Sequence, residues 1–191
     1  GGPGVPTGGP LGTGPLTVDF GGGTLRPSPT VDTVVHNPIS VDHTLRLFAG
    51  ADTTKLTLTA PITFSDFAGT IAVEGAGHTA TISGSISGTG LSSVMAKAGA
   101  GELVLTGAAP NALGGGISVN EGLLVLAKGG MDNATTGLLQ VGSIAQSATV
   151  RLDAPEQLGA LAAVAINNGR FDLNGFSETA GLFTYDPGAI L

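Results

Sequence analysis

The chain contains no cysteine and no tryptophan, and each absence closes a route to stability or chemistry. Without cysteine there are no disulfides and no thiolate metal sites, although the redox compartment stays open because many proteins simply avoid thiols. Aromatics make up 4% of the residues, so a globular core built on large rings is not available. Charge is equally scarce at 11%. Lysine and arginine number 7 against 14 acids, a net charge of −7, and they stand singly along the chain. No basic patch exists to meet phosphates, which argues against nucleic acid and anionic membranes as partners. No apolar run approaches the ~18–20 residues of a membrane span. Neither an initiator methionine nor a signal-peptide pattern stands at Gly1, so the expectation is a processed product or an excised piece whose export signal lay upstream.

What the chain has instead is 33 glycines, a positive mean hydropathy and many small β-formers. Disorder through high charge and low hydrophobicity is therefore excluded as a class, and a core of Leu, Ile, Val and Ala in thin layers is the alternative. The stretch from Lys97 to Gly129 says how those layers are built. Gly101-Glu-Leu-Val-Leu returns as Gly122-Leu-Leu-Val-Leu. A short apolar strand behind a glycine, repeated at an interval of about 21 residues, is the signature of a stacked solenoid.

The same stretch resembles the autotransporter-associated β-strand repeat of bacterial passenger domains. That pattern runs Gly-x-Gly-x-Leu-x-Leu-x-Gly, then Asn-x-Tyr-x-Gly-Gly-Thr-Thr-Val-x-x-Gly-x-Leu. Gly99, Gly101, Leu103, Leu105 and Gly107 fill its first half. Asn111, Gly115, Gly116, Val119, Gly122 and Leu124 fill its second. Leu113 stands where the pattern has Tyr, Ile117-Ser118 where it has Thr-Thr, and the Ala108 to Pro110 turn is longer by two residues. The resemblance implies a piece of an exported stalk that emerges and folds coil on coil outside a bacterial cell.

Taken in order, residues 1–15 are almost all glycine and proline and read as a flexible arm or linker, with a β-solenoid domain over 16–191. Period-2 strands follow: Leu16-Thr-Val-Asp-Phe, Gly23-Thr-Leu-Arg, Ile39-Ser-Val-Asp, Thr44-Leu-Arg-Leu-Phe and Lys55-Leu-Thr-Leu-Thr. Ile62-Thr-Phe, Thr70-Ile-Ala-Val, Thr79-Ala-Thr-Ile-Ser and Ser85-Ile-Ser continue them. Pro155 to Ile166 has the Pro, Glu and Ala of a helix start. The repeat favours strand there, since the shift that carries Gly101 onto Gly122 also lays Gln157-Leu-Gly-Ala-Leu-Ala on Glu178-Thr-Ala-Gly-Leu-Phe. The same shift lays Ala148-Thr-Val-Arg-Leu-Asp on Gly169-Arg-Phe-Asp-Leu-Asn. The resembled family likewise carries a strand after its Asp-Leu-Asn-Gly element, here Asp172 to Gly175.

These readings predict an all-β fold, a right-handed parallel β-helix (solenoid) with coils of about 21 residues stacked 4.8 Å apart. At most about nine coils would give a rod on the order of 40 Å. Alternation points Leu103, Leu105, Leu124, Leu126, Val150, Leu152, Phe171 and Leu173 inward, and Val104, Val125, Arg151 and Asp172 outward. Arg151 is expected to pair with Asp172 across neighbouring strands, and Asp153 to stack over Asn174.

Candidate chemistry is thin. Glu102 and Glu121 are the acids that an aligned register brings near each other on adjacent coils, where a glycosidase needs two carboxylates roughly 5–10 Å apart. A carbohydrate site also wants an aromatic platform, and Tyr185 is the only tyrosine. His36 and His43 share a segment with Asp32 and Asp42, but the His36-x6-His43 spacing matches no zinc site. Gly114-Gly-Gly-Ile lacks the Asp of a calcium-binding β-roll. Asn133-Ala-Thr135 fits a glycosylation sequon. Gly21 to Gly23 and Gly99 to Gly101 are followed by neither Lys-Ser/Thr nor a helix, so they are turn glycines rather than phosphate loops. The prediction is no catalytic, cofactor-binding or metal-binding residue, no cofactor and no enzyme.

The expected function is a non-catalytic structural scaffold of a secreted or cell-surface bacterial protein. A self-assembling subunit of an extracellular filament or surface layer is the first alternative, and an adhesin that binds a surface glycan or protein receptor the second. No polar cap stands at either end of the predicted solenoid. The ends are therefore expected to meet either the remainder of a longer solenoid or another copy stacked head to tail, with the arm laid along it.

Overall fold

The structure, a computed structural model, describes residues 11–28, 30–48, 54–66, 68–90, 92–130 and 134–186. Asn133, most of the expected arm and the apolar C-terminal residues 187–191 lie outside the described residues. Every named strand pairs in parallel with the coil before or after it, and no helix occurs among the described residues. The fold is a parallel β-solenoid with coils of about 23 residues.

The first coil holds β1 (Leu16–Val18), β2 (Gly23–Leu25) and β3 (Thr33–Val35). The second holds β4 (Ile39–Val41), β5 (Thr44–Leu47) and β6 (Leu56–Leu58), and the third β7 (Ile62–Phe64), β8 (Ala68–Val73) and β9 (Thr79–Ile82). The fourth adds β10 (Ile86–Gly88), β11 (Val94–Ala98) and β12 (Glu102–Leu105). Later coils keep two named strands each: β13 (Gly116–Val119) with β14 (Gly122–Leu126), β15 (Leu138–Val141) with β16 (Ala148–Leu152), and β17 (Ala163–Ile166) with β18 (Gly169–Asp172). The last described strand is β19 (Leu182–Tyr185).

Stacking sorts these strands into three sheets. The first face is β1-β4-β7-β10, the second runs from β2 to β19 with 8 strands, and the third from β3 to β18 with 7. Seven strands spaced about 4.8 Å apart make a prism some 30 Å long.

The core follows from alternation. Leu103, Leu105, Leu124, Leu126, Val150, Leu152 and Phe171 are buried, as expected. Leu173 also borders the interior, but it is 45% exposed because it belongs to the last coil and no further described strand covers it. Val125 is fully buried although it lies outside the main core cluster, which fits an outward side chain. Its neighbours in register are Val104 and Arg151, and the Arg151 guanidinium reaches Glu102 on the strand beyond, so the side chains of the outer face cover it.

Coil length is where the sequence reading needs correction. Glu102 pairs with Leu123 and Ala148 with Gly169, so the short repeat read from Gly101 and Gly122 holds at those two steps. Elsewhere the coils are longer. Leu16 pairs with Ile39 and Ile39 with Ile62, and the step from Gly122 to its partner Ala148 is longer still. The corners absorb the difference. Ser143 and Gln146 exchange backbone hydrogen bonds around Ile144, whose side chain is exposed.

The segment Pro155 to Ile166 contains a strand, not a helix, but its pairing slips. Gln157 N–H still meets Glu178, the partner the repeat gives it, through the Glu178 side chain. Ala163 then pairs with Leu182, a shorter step. Two extra residues sit in the turn between, where Ala162 N–H bonds Gly159 C=O and Leu161 stands out in solvent.

Burying a carboxylate at a position such as Leu105 strands a charge among aliphatic layers, at a cost of several kcal/mol. Leu105→Asp should therefore lose most or all of the cooperative transition in chemical denaturation, while the outward Val104→Thr should stay within about 1 kcal/mol of the parent. Equal effects from the two variants would contradict the assignment of faces.

Candidate functional site

The polar side chains with the most unusual environments lie inside the solenoid, at its corners. The alternation of β11 turns Met95 and Lys97 inward, and Lys97 falls in register between Ile71 and Val119, at a core position. Its Nζ runs to the corner and donates to the carbonyls of Gly99, Gly101 (2.6 Å) and Glu121 (2.7 Å). Three N–H groups thus meet three acceptors, of which Gly101 C=O also takes a longer bond (3.3 Å) from Leu123 N–H of β14. Gly122 lines the same corner at φ +72°, and a Cβ there would lie 2.5 Å from Lys97 Nζ and 2.6 Å from Gly101 O. Burial pushes the Lys97 ammonium down to about 8, with Glu121 and Glu74 pulling the other way.

A second buried cation stands one corner further on. Lys128 Nζ donates to Thr106 C=O at 2.9 Å, and burial lowers its pKa. The Lys128 backbone N–H donates to Gln157 Oε1 (2.7 Å), and Gln157 Nε2 returns bonds to Lys128 C=O (3.1 Å) and Pro155 C=O (3.0 Å). The Gln157 amide does here what a neighbouring strand would do.

The first face explains why such groups are needed. After β10 its strands give way to isolated bridges, Ser87 with Ala112 and Thr135 with Leu158. Side chains take over the ladder. Ile86 N–H donates to Asn111 Oδ1 (2.9 Å), and Asn111 Nδ2 to Ala134 C=O (3.1 Å). Ala134 N–H then meets Gln157 C=O, and Glu178 accepts from Gln157 N–H (2.7 Å) and Leu158 N–H (3.0 Å). Burial raises the Glu178 pKa, and those two backbone donors oppose the shift. At the other end of this face Asn37 Nδ2 donates to the carbonyls of Gly12 (3.2 Å) and Gly14 (2.6 Å), tying that part of the arm to the first coils.

The outward charged cluster differs from the expected one. Arg151 and Asp172 are register partners, as predicted. The Arg151 fork nevertheless grips Asp153, two residues along its own strand, at 2.8 and 3.0 Å, and lies 3.8 Å from Glu102. Asp172 is taken by Arg170 at 2.8 Å. The bidentate geometry open to Asp153 favours it over a carboxylate one strand away. Asp153 accepts from Asn174 Nδ2 at 3.0 Å, the stacking the repeat predicted, and the Arg151 hydrogen bond holds its carboxyl below the usual range.

The remaining candidates do not converge. Glu102 bonds Thr79 and approaches Arg151, and its register partner is Leu123, which leaves Glu121 in the turn two residues earlier beside Lys97. His36 bonds Thr59 Oγ1 (2.8 Å), His43 stacks on Phe20, and Asp32 Oδ1 accepts from Lys55 N–H (2.9 Å). Among the described residues no three His, Asp or Glu side chains gather as a metal site. Thr135 of the sequon is fully buried and donates to Leu113 C=O. Tyr185 is exposed on the last strand. No helix among the described residues is long and apolar enough to cross a membrane.

Two features were missed in the sequence although signals for both exist. Lys97 carries the parity of a core residue in Val94-Met-Ala-Lys-Ala, where alternation alone would have turned it inward. The first face is written as Pro15-Leu-Thr-Val-Asp, Pro38-Ile-Ser-Val-Asp and Pro61-Ile-Thr-Phe-Ser, an evenly spaced repeat that places Thr17, Ser40, Thr63 and Ser87 in one column.

Comparison with protein-family models, curated proteins and solved structures found no significant match.

Replacing Lys97 by Met keeps the apolar stem and removes the donors, leaving the Gly99 and Glu121 carbonyls without them at about 1–3 kcal/mol each and Gly101 C=O with only its longer bond from Leu123 N–H. Lys97→Met should therefore be severely destabilised in urea. The pH dependence has a definite sign. The folded Lys97 gives up its proton near 8 and the unfolded one near 10.5, so between those values the unfolded chain binds more protons and stability rises with pH. The wild type should gain on Lys97→Met across that window, by up to about 1.4 kcal/mol per pH unit. Parallel stability curves for the two proteins from pH 8 upward would show that Lys97 stays charged in the fold.

Proposed function

We propose that this chain is a non-catalytic structural rod, a scaffold of a secreted or cell-surface bacterial protein of the autotransporter-passenger type. One observation carries the reading: the buried and half-buried polar side chains are spent on the architecture itself. Lys97, Lys128, Asn111, Gln157 and Glu178 each bond backbone groups at a corner or on a neighbouring coil.

The residues behind the resemblance support it in the same way. Gly107 sits at φ +80° where a Cβ would come 2.1 Å from Ser83 O on the coil below, so only glycine fits that close approach. Asn111 replaces a strand in the ladder, and Leu103, Leu105 and Leu124 fill successive core layers. Gly107, Asn111 and these leucines thus each have a physical task that a stacked coil requires, which is what a repeat selected for folding coil on coil would show.

The test is display. Placed between a secretion signal and an outer-membrane β-barrel, the chain should reach the outside of a Gram-negative cell and resist protease added to intact cells. The Leu105→Asp variant should be degraded in the same assay. Native sequence that is displayed but cut throughout, or that never leaves the cell, would overturn the reading.

A further inference from the structure

Two asparagine–glycine steps flank β18, Asn168-Gly169 before it and Asn174-Gly175 after it, and the fold treats them oppositely. Asparagine is a thermolabile residue, and a following glycine puts no side chain between its own amide nitrogen and the asparagine carboxamide. Asn174 is held. Its Nδ2 donates to Leu152 C=O and to Asp153 Oδ1, both at 3.0 Å, and its backbone N–H to Asp172 Oδ1 at 2.9 Å. It lies in a tight turn, at φ +49° with Gly175 at φ +80°, closed by Phe176 N–H on Leu173 C=O. A carboxamide tied on two sides cannot swing onto the next residue without breaking both bonds.

Asn168 has no such ties. Its side chain is exposed and makes no hydrogen bond among the described residues. The corner around it is held by long bonds. Asn168 N–H reaches Val141 C=O at 3.4 Å, sharing a carbonyl that Asn167 N–H already takes at 3.0 Å. Ala148 N–H reaches Asn168 C=O at 3.2 Å. Glycine is required at 169 for packing, since a Cβ there would lie 2.1 Å from Ala148 O. The stacking of the coils thus places a residue without a side chain directly after an untethered carboxamide.

We propose that Asn168-Gly169 is a site of spontaneous covalent modification, with water as the only co-reactant, and that its product loosens the corner between β17 and β18. The Gly169 amide nitrogen gives its proton to solvent base and bonds to Asn168 Cγ. The Cγ–Nδ2 bond breaks and Nδ2 leaves as ammonia, taking a proton back from solvent, so a cyclic succinimide remains. Water then opens the ring at either carbonyl, and no electrons are gained or lost. Opening at Cγ gives aspartate with the original backbone. Opening at the main-chain carbonyl gives iso-aspartate, whose backbone runs through Cβ and Cγ and is longer by one carbon. In that form the carbonyl that accepts from Ala148 N–H becomes a free carboxylate outside the main chain. The coil below is so close that a Cβ on Gly142 would lie 1.7 Å from that oxygen, so the longer backbone moves β18 off its register with β16.

Timed incubation of the purified chain in mildly alkaline buffer, followed by tryptic mapping in a mass spectrometer, tests both halves. Cleavage after Arg151 and Arg170 puts the two steps on separate peptides, 152–170 and 171–191. The expected result in the native protein is a gain of one mass unit on 152–170, located at Asn168 by fragmentation and divided between two products of equal mass. Peptide 171–191 should react more slowly by about tenfold or more, because two hydrogen bonds must break first. In denaturant the two peptides should react at similar rates. Asn168→Gln, at an exposed position, should stay unmodified over the same period. Under native conditions dilute trypsin should cut after Arg170 faster in aged than in fresh protein, and no faster in aged Asn168→Gln. Equal rates for the two peptides in the native protein, reaction at Asn174 ahead of Asn168, or an unmodified Asn168 would overturn the proposal. So would aged, modified protein that trypsin cuts no faster than fresh protein.

Discussion

A parallel strand cannot satisfy its backbone alone, and in this chain the partner is always the coil below or above. That single requirement orders the rest of the structure. It fixes one residue per column, so an apolar position in one coil stacks on an apolar position in the next, as in Leu58, Ile82, Leu105, Leu126 and Leu152. It also confines variation to the corners, because a residue added inside a strand would turn every following side chain to the wrong face. The spread of register shifts, from the short step between Ala163 and Leu182 to the long one between Gly122 and Ala148, is therefore taken up in turns such as Ser143 to Gln146 and Gly159 to Ala162.

Corners raise the opposite difficulty. Where the chain bends, carbonyls and N–H groups leave the ladder, and those facing the interior have no water to meet. The chain answers with long polar side chains whose stems lie in the core and whose heads reach the corner. Lysine is an expensive choice, since burying its charge costs enough to pull the Lys97 pKa down to about 8. It is also the side chain with three donors and no acceptor, which suits a corner of three carbonyls. Asparagine and glutamine, with both donor and acceptor, serve where a missing strand must be imitated in both directions, at Asn111 and Gln157.

The legible part of this fold was its periodicity. Leucine alternation in Gly101-Glu-Leu-Val-Leu and its copy at Gly122 gave the strands, the faces and the local register correctly. The same logic placed Arg151 beside Asp172 and Asp153 beside Asn174. It failed where geometry finer than register decides. A guanidinium selects the carboxylate it can grip with two parallel bonds, so Arg151 turned along its strand to Asp153. The slip at Ala163 could not be read from the repeat alignment, because both Gln157 and Gly159 keep contacts that look regular until the turn adds its two residues. The inner polar residues were hidden for another reason: a single Lys or Gln in an apolar stretch reads as a surface residue unless its parity is counted.

Division of labour between the inside and outside of the prism follows. Inward positions are tied to those of adjacent coils through packing and through the corner bonds, so a change at Lys97 or Asn111 is felt by three successive turns of chain. Outward positions carry no such tie. Arg151 and its acids lie partly in solvent, where pairs of this kind contribute at most about 1 kcal/mol. The columns on the first face, with prolines at 15, 38 and 61 beside Thr17, Ser40, Thr63 and Ser87, are likewise free of the core. A solenoid built this way can change its outer surface without altering its fold, because the stability of each coil is decided on the inward parity and at the corners. The last described strand is the exception: Phe183 and Tyr185 continue the inward columns of Val164 and Ile166 yet are exposed, because no described strand lies above them.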